Sequence, residues 1–457
     1  MFSIRDIFVL TALVASIPFC FLRPTYGAAC WIVLSFVNPQ DYGWGLAQHA
    51  SPALAVAIPT LLGFAVYSRN LKNLACREVF LMTALWLWFT ATTLNSAHDP
   101  AFADKAVSAW YRWGLVSKVL LMTVVIIGII DTWKRFRWLV LTIAGSFGFL
   151  ALKTLPIMIL SGGASRVYGP ANSMIADNND FGLALNMALP FFFFLAKAEQ
   201  GRRMKWLMGL VFVITIPAII FTYSRGALVG LVVVLLCMLL QAKQKAVLIS
   251  FAAMVLVFAL LFTPQSWRDR MKTISPDSLD TSALSRLNAW TYAWNMTKDY
   301  PIMGGGFDAF TPSLFQRYAP NAADVHGPHS IYFGVMAEHG FTGLFLYLTL
   351  VVSCFATLHR IVKQARYYGD AESAHYANIL RFSLVGFLVS GAFLGRAYFD
   401  FYFSLVACVA ILKQQCEAGW AEETEEYEPE PEDMEQPVIS YGGPDRSVRN
   451  LQDQPAP

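Results

Sequence analysis

Residues 206–240 read WLMGLVFVITIPAIIFTYSRGALVGLVVVLLCMLL. Two apolar runs, Trp206 to Phe221 and Ala227 to Leu240, are joined by a few residues that include one arginine, Arg225. Runs of this kind approach the length that crosses a bilayer as helix. Inside hydrocarbon, backbone polar groups can be satisfied only within helices or a closed barrel, and segments this apolar are helices. The stretch is therefore a membrane hairpin with a very short turn. A turn made of Ser, Gly and Asn would have sufficed, so the cation at its centre needs a reason.

The whole chain follows the pattern of this hairpin. Of its 457 residues, 56% are hydrophobic and 14% charged, and the mean hydropathy is +0.48, far from a soluble domain. Further apolar runs predict spans near 7–22, 26–37, 53–67, 79–94, 115–130, 138–160, 180–196, 206–222, 227–241, 246–262, 341–358, 379–395 and 399–412. The first two are short, and Arg23-Pro24 between them marks a tight hairpin or one broken element. The expected fold is an all-α polytopic membrane protein with about 12–13 transmembrane helices and one large extramembrane loop containing short helices. The chain divides into a bundle over 1–262, the loop over 263–330, further membrane helices over 331–412 and a tail over 413–457. Arg5 and the apolar run after it read as an anchor, since no small-x-small cleavage site follows.

Lysine and arginine fix the orientation. One set of loops is basic: Arg69, Lys72 and Arg77; Lys134, Arg135 and Arg137; Lys197, Arg202, Arg203 and Lys205; Lys243 and Lys245; and Arg360, Lys363, Arg366 and Arg381. The alternate loops are nearly bare, with none in 38–52 and only Arg166, Arg225 and Arg396 in 161–179, 223–226 and 395–400. The basic set faces the cytoplasm, and the side on which Met1 lies stays open. A single arginine at a helix mouth can snorkel to the interface or bond a terminal carbonyl. Three on the side where arginine is scarce suggest a shared anionic partner.

The large loop lies on that same side and adds Arg268, Arg270, Arg286, Lys298 and Arg317. Its middle reads as an amphipathic helix capped by Ser282, with Leu284, Leu287, Trp290 or Thr291, and Trp294 on one face. PIMGGGFDAF (301–310) ends that helix and permits a close backbone approach, and a second short helix is predicted over Pro312 to Tyr318. His326, His329 and His339 cluster where the loop re-enters the membrane. His326 and His329 could pair on a metal, but only Asp324 stands near them as a further ligand, so no metal is expected. His339, beside Gly340, reads as interfacial. The seven cysteines avoid the loop, which therefore has no disulfide framework. The tail is acidic and Pro-rich and reads as disordered. There is no Walker loop, dinucleotide fingerprint or cytoplasmic catalytic domain.

Several segments now resemble one family. PHSIYFGVMAEHGFTG (328–343) resembles the His-Asn/Ser…Glu-x-Gly-x-x-Gly signature of the O-antigen ligase and polymerase superfamily. YSRGALVGL (223–231) resembles its Ser-Arg-Gly turn, and SRLNAWTYAWNMTKDYPIMGGGFDAF (285–310) its loop pattern. RVYGPANSMIADNNDFGLALNMALP (166–190) and NPQDYGWGLA (38–47) are similar to a narrower group, the O-glycosylation ligases of exosortase-associated systems in Gram-negative bacteria. The resemblance covers roughly residues 1–412. Ser330 stands where many relatives have Asn.

What the resemblance implies is specific. A glycan carried on undecaprenyl pyrophosphate is moved en bloc to an acceptor, a protein or the lipid A core, at the periplasmic face of the bacterial inner membrane, with no ATP, metal or other cofactor. The partners are a lipid-linked glycan donor and an acceptor protein or glycolipid, and no nucleic acid. Pyrophosphate leaving groups suit guanidinium, which stays charged and binds phosphate oxygens as a fork. Arg225 and Arg286 are the first candidates, with Arg166 and Arg396 behind them. A base near neutral pKa must take the acceptor's proton, and His329 is the candidate. Asn178 and His326 complete the substrate-binding set. A polymerase of the same superfamily could share these motifs. A secondary transporter is the competing class, but it would place ionisable groups near the midplane and show internal repeats.

Overall fold

The computed structural model describes residues 4–42, 51–67, 71–162, 164–199, 201–241 and 281–426. Among them the chain is helical, with no strand. The first helices are α1 (Ile4–Leu22), α2 (Pro24–Val37), α3 (Pro52–Tyr67), α4 (Arg77–His98), α5 (Ala106–Ile129) and α6 (Trp133–Lys153). After the short α7 (Leu155–Leu160) come α8 (Asn178–Ala198), α9 (Arg202–Ile220) and α10 (Arg225–Gln241). The loop contributes α11 (Thr281–Asp299) and α12 (Pro312–Tyr318), and α13 (Ile331–Tyr368), α14 (Ala371–Gly391) and α15 (Asp400–Glu426) follow. Each predicted span falls on helix, 138–160 running over α6 and the short α7, except 246–262, which falls outside the described residues, as do Arg268 and Arg270. Among the described residues, seven helices are long and apolar enough to cross a membrane, and α2, α3 and α10 are shorter apolar helices. The protein is an all-α, multi-pass membrane protein.

Two predicted spans, on α14 and α15, do not reach that apolarity. Polar residues near the basic end lower both, His375, Asn378 and Arg381 on α14 and Lys413, Gln414 and Gln415 on α15. Ser383 and Ser390 of α14 and Asp400 and Ser404 of α15 are buried in protein rather than turned to lipid. Helix α8 packs against α14, α9, α10 and α6, and nearly all of its residues are buried. Polar contacts join these helices: the Asn186 amide donates to the Ala227 carbonyl at 2.7 Å and to Ser390 Oγ at 3.1 Å, and Ser383 Oγ donates to the Met187 carbonyl at 2.6 Å. Small and hydroxylated residues serve this purpose between membrane helices, where apolar burial gives no advantage over lipid.

The loops sort into two ends. At one end Arg137 bonds Glu199, the Gln414 amide donates to the Asn73 carbonyl, and Arg77 reaches Thr357. At the other, Asn38 donates to the Ala171 carbonyl, Lys105 to the Phe307 carbonyl, and the Val167 amide to the Phe221 carbonyl. This second end, the long-loop end, carries the arginine-poor loops. Arg23 lies with residues 128–135 around a cavity of about 790 Å³ at the basic end, so α1 starts at the long-loop end. Arg23 also separates α1 from α2 as two helices, with Pro24 at the first position of the second.

Helix α13 is broken. Its residues run from Ile331, ten before the predicted span, and Gly340 interrupts them at φ 70° and ψ −174°. The GGG segment fills the break: Gly305 N–H donates to the Ala337 carbonyl at 2.8 Å, Gly306 N–H to Glu338 at 2.6 Å, and Phe341 N–H to Pro301 at 2.8 Å. A Cβ on Gly340 would lie 2.1 Å from the Ile302 carbonyl oxygen, and one on Gly304 2.5 Å from Gly340 N. Both the positive φ and the approach require glycine. Gly340→Ala is expected to cost on the order of 1–3 kcal/mol, read as a lower Tm of the detergent-solubilised protein; an unchanged Tm would show that the break relaxes freely.

The loop helix α11 buries a different face from the predicted one. Ala289, Tyr292, Ala293 and Met296 form the core with Phe102, Phe315 and Met336, and Tyr292 stacks on Phe315 at 4.2 Å. Leu284, Leu287 and Trp294 are exposed. Ala289 and Ala293 let α11 lie close on its neighbours, and Tyr292 and Met296 fill the space beside them. The helix begins at Thr281, before Ser282, and α12 matches the predicted Pro312–Tyr318 with Thr311 as its cap. The remainder of the chain beyond Cys416 forms a second unit. Residues 413–426, at the start of the predicted tail, continue α15 as helix, and 427–457 lie outside the described residues. All seven cysteines are free thiols.

Candidate active site at the long-loop end

The turn that opens α10 is built by its own sequence. Tyr223 adopts φ 59°, and Ser224 Oγ accepts the Ala227 amide at 3.2 Å, a first-turn cap. Arg225 is the first residue of the helix and is half-buried. The Asn178 amide donates to the Thr222 carbonyl at 2.6 Å, so Asn178 holds this turn from α8. Arg166 is exposed, next to Val167, whose amide bonds Phe221. Gly226 packs on Phe393, where a Cβ would lie 2.9 Å from the phenylalanine Cβ.

His329 stands opposite on the loop that leads into α13, at φ 42°. Such a backbone is costly for a residue other than glycine. Its neighbours hold it: Trp290 Nε1 donates to the Pro328 carbonyl at 2.8 Å, and the same indole stacks on Phe333 at 5.2 Å. A Cβ on Gly395 would lie 3.5 Å from His329 N, so residues 393–396 touch both His329 and the α10 turn. Arg396 is paired with Asp180 at 2.6 Å. Arg286 lies one helical turn before Trp290 and is half-buried. His326 bonds Asp324 at 2.7 Å, and its ring lies 6.5 Å from that of His329.

Burial holds the His329 imidazole below the ordinary histidine range, and Arg286, His326 and Arg396 act in the same direction while Asp177 opposes them. His329, Arg286, His326 and Arg396 therefore form one electrostatic neighbourhood. Arg225, Asn178 and Arg166 gather around the neighbouring turn. Among the described residues no group of three or more His, Cys, Asp or Glu could hold a metal ion. The non-glycine residues with positive φ are Asn38, Asn172, Tyr223, Asp308 and His329 among the described residues. All of them lie at the long-loop end. Strain of this kind persists where the surroundings over-determine it.

His339 is not interfacial, as its place beside Gly340 suggested. It is fully buried at the break in α13, with Nδ1 2.7 Å from Thr92 Oγ1 and its ring 4.2 Å from Phe89. Beside it is a cluster of ionisable groups centred on Glu338. Glu338 accepts the Asp308 amide at 2.9 Å and the Tyr398 hydroxyl at 2.6 Å, and Arg112 pairs with Asp308 at 3.2 Å. A signal for it existed. Glu338 lies in the quoted signature, and Arg112 is one more arginine between the predicted spans 79–94 and 115–130, on the side that the charge alternation assigns to this end.

Comparison with known families adds two matches. Residues 4–200 match a family of unknown function (DUF5935), and residues 210–348 match the O-antigen ligase family. A search of curated proteins gave no match. The second match spans the α10 turn, Arg286 and His329 together. Through residues 210–348 the chain carries the O-antigen ligase domain of the O-antigen ligase/polymerase superfamily.

Proposed function

We propose that the protein is a glycan ligase of the periplasmic face of the bacterial inner membrane. It transfers a glycan en bloc from an undecaprenyl-pyrophosphate donor to an acceptor, as in protein O-glycosylation or attachment to lipid A core. The observation that carries this reading is the gathering of His329, Arg286 and Arg396 beside the Arg225 turn, with His329, Arg286 and that turn all inside the matched residues 210–348. In the reaction the acceptor hydroxyl oxygen bonds the anomeric carbon and the bond from that carbon to the pyrophosphate oxygen breaks. The hydroxyl proton passes to His329, and lipid pyrophosphate leaves with the bonding electrons.

The arginines supply charge where the leaving group develops it. Arg225 stands at the start of a helix, where the helix dipole also favours an anion. Arg286 and Arg396 lie on the His329 side and serve the second phosphate. Arg166 and His326, nearer solvent, contact the glycan. Asn178 acts through the Thr222 carbonyl as a positioning residue. Burial, together with Arg286, His326 and Arg396, favours the neutral imidazole of His329 that a base requires.

The direct test is the purified protein in liposomes with a lipid-linked glycan donor, an acceptor and no nucleotide. Release of lipid pyrophosphate coupled to a single-step glycan product is expected. A ladder of joined repeat units would make the protein a polymerase, and no turnover with any acceptor would remove the reading.

Orientation has its own test. In a cysteine-free background, cysteines at Ser165 and Ala322 should react with an impermeant thiol reagent added from the periplasmic side, and those at Ala75 and Gly201 should not. Labelling of the second pair alone would turn the site to the cytoplasm.

A further inference from the structure

Beside the loop that carries His329 lies a cavity of about 330 Å³ that the transfer reaction has not used. Pro328 and Ser330, the residues flanking His329, form part of its wall. Besides Ser330, the polar lining consists of Ser108 and Arg112 from α5, Asp308 and Thr311 from the loop, and Glu338 and Tyr398. Phe310 and Pro312 give it an apolar patch.

Three features describe its ligand. The volume is at the small end of ligand sites, which run to about 300–1,000 Å³, so it suits a compact group rather than a lipid chain. The charged groups are mixed, with Arg112 facing Asp308 at 3.2 Å and Glu338 behind them, so the site has no cationic excess to hold a pyrophosphate. Fixed donors and acceptors around an aromatic patch match a ring that carries several hydroxyls. The lining is also rigid: Asp308 is held at φ 54° by the bond from its amide to Glu338, and Tyr398 is fixed by the other oxygen of the same carboxylate. Arg286 and the α10 turn are absent from its lining.

We infer that this cavity is a saccharide subsite that binds the terminal sugar ring of the acceptor and presents one of its hydroxyls to His329. The assignment rests on the ligase reading above. The donor enters from the arginine side, and the acceptor ring occupies the side lined by Arg112, Asp308 and Glu338. The chemistry selects a hydroxyl-rich, uncharged ring.

The test separates this cavity from the reaction. Ser108 is exposed at the cavity, so Ser108→Trp obstructs it without touching the helix interior. The full-length protein in nanodiscs is mixed with free hexoses, N-acetylhexosamines and hexuronates, and binding is read by saturation-transfer NMR. At least one neutral sugar should bind, and both Ser108→Trp and Arg112→Gln should weaken it at least tenfold. In the transfer assay the same variants should raise the acceptor KM at least tenfold and leave the donor KM within about threefold. If no sugar binds, or if Ser108→Trp leaves binding intact, the subsite is wrong. A rise in donor KM alone would instead give the cavity to the first sugar of the donor and overturn the acceptor assignment. Sugar binding is independent of Arg225, so an inactive wild-type protein that still binds sugar removes the ligase reading and not the cavity.

Discussion

Arg225→Ala should abolish glycan transfer, and Arg225→Lys should leave about one hundredth of it or less. Removing one preorganised donor to a developing anion costs about 10²–10³ in rate. Lysine retains the charge but not the planar pair of donors that binds two phosphate oxygens at once. The position adds to the effect. Ser224 caps α10 and fixes the backbone from which Arg225 projects, and Asn178 holds the preceding carbonyl. A lysine reaching from the same backbone presents one rotating point charge. The measurement is initial rate at saturating donor and acceptor, with the abundance and Tm of each variant as controls. Full activity in Arg225→Lys would assign the arginine to simple interfacial anchoring.

His329→Ala should lose about a hundredfold or more, the usual span for a general base, while donor binding persists through the arginines. The pH profile carries more information. A base works as the neutral imidazole, so activity should rise with pH as His329 loses its proton. Burial, with Arg286, His326 and Arg396, sets that transition below the ordinary value of about 6.5. Arg286→Gln removes a neighbouring cation, favours the imidazolium and should move the acid limb to higher pH in the activity that remains. His326→Ala should be much milder. Two outcomes oppose the assignment. Equal loss in His326→Ala together with inactivation by a chelator would make the pair a metal site, and full activity in His329→Gln would place the base elsewhere.

The arginines and His329 stand out in the sequence because each departs from a strong local expectation. Arg166, Arg225 and Arg396 are cations in loops where charge alternation disfavours them, and His329 closes a loop at a Gly-Pro turn. Glu338, Asp308 and Tyr398 do not stand out, because each is an ordinary residue until the break at Gly340 brings the GGG loop against α13. Arg112 could have been read from the same charge alternation. Its partner could not, since the two are separated by 196 residues.

The sequence alone determined the all-helical membrane fold, the near-positions of the spans and the separation of basic from arginine-poor loops. Those properties depend on local hydrophobicity and on charge relative to a bilayer, both additive along the chain. The tertiary structure decided which face of α11 is buried, where α13 breaks and which helices form the interior. Periodicity selected Leu284, Leu287 and Trp294 for the inner face of α11, whereas close packing on α13 selected Ala289 and Ala293. Helices α14 and α15 likewise lie in the interior, where a helix enclosed by protein can keep serines and a carboxylate that lipid would exclude. Contacts between segments distant in sequence settle such choices, and no window along the chain contains them.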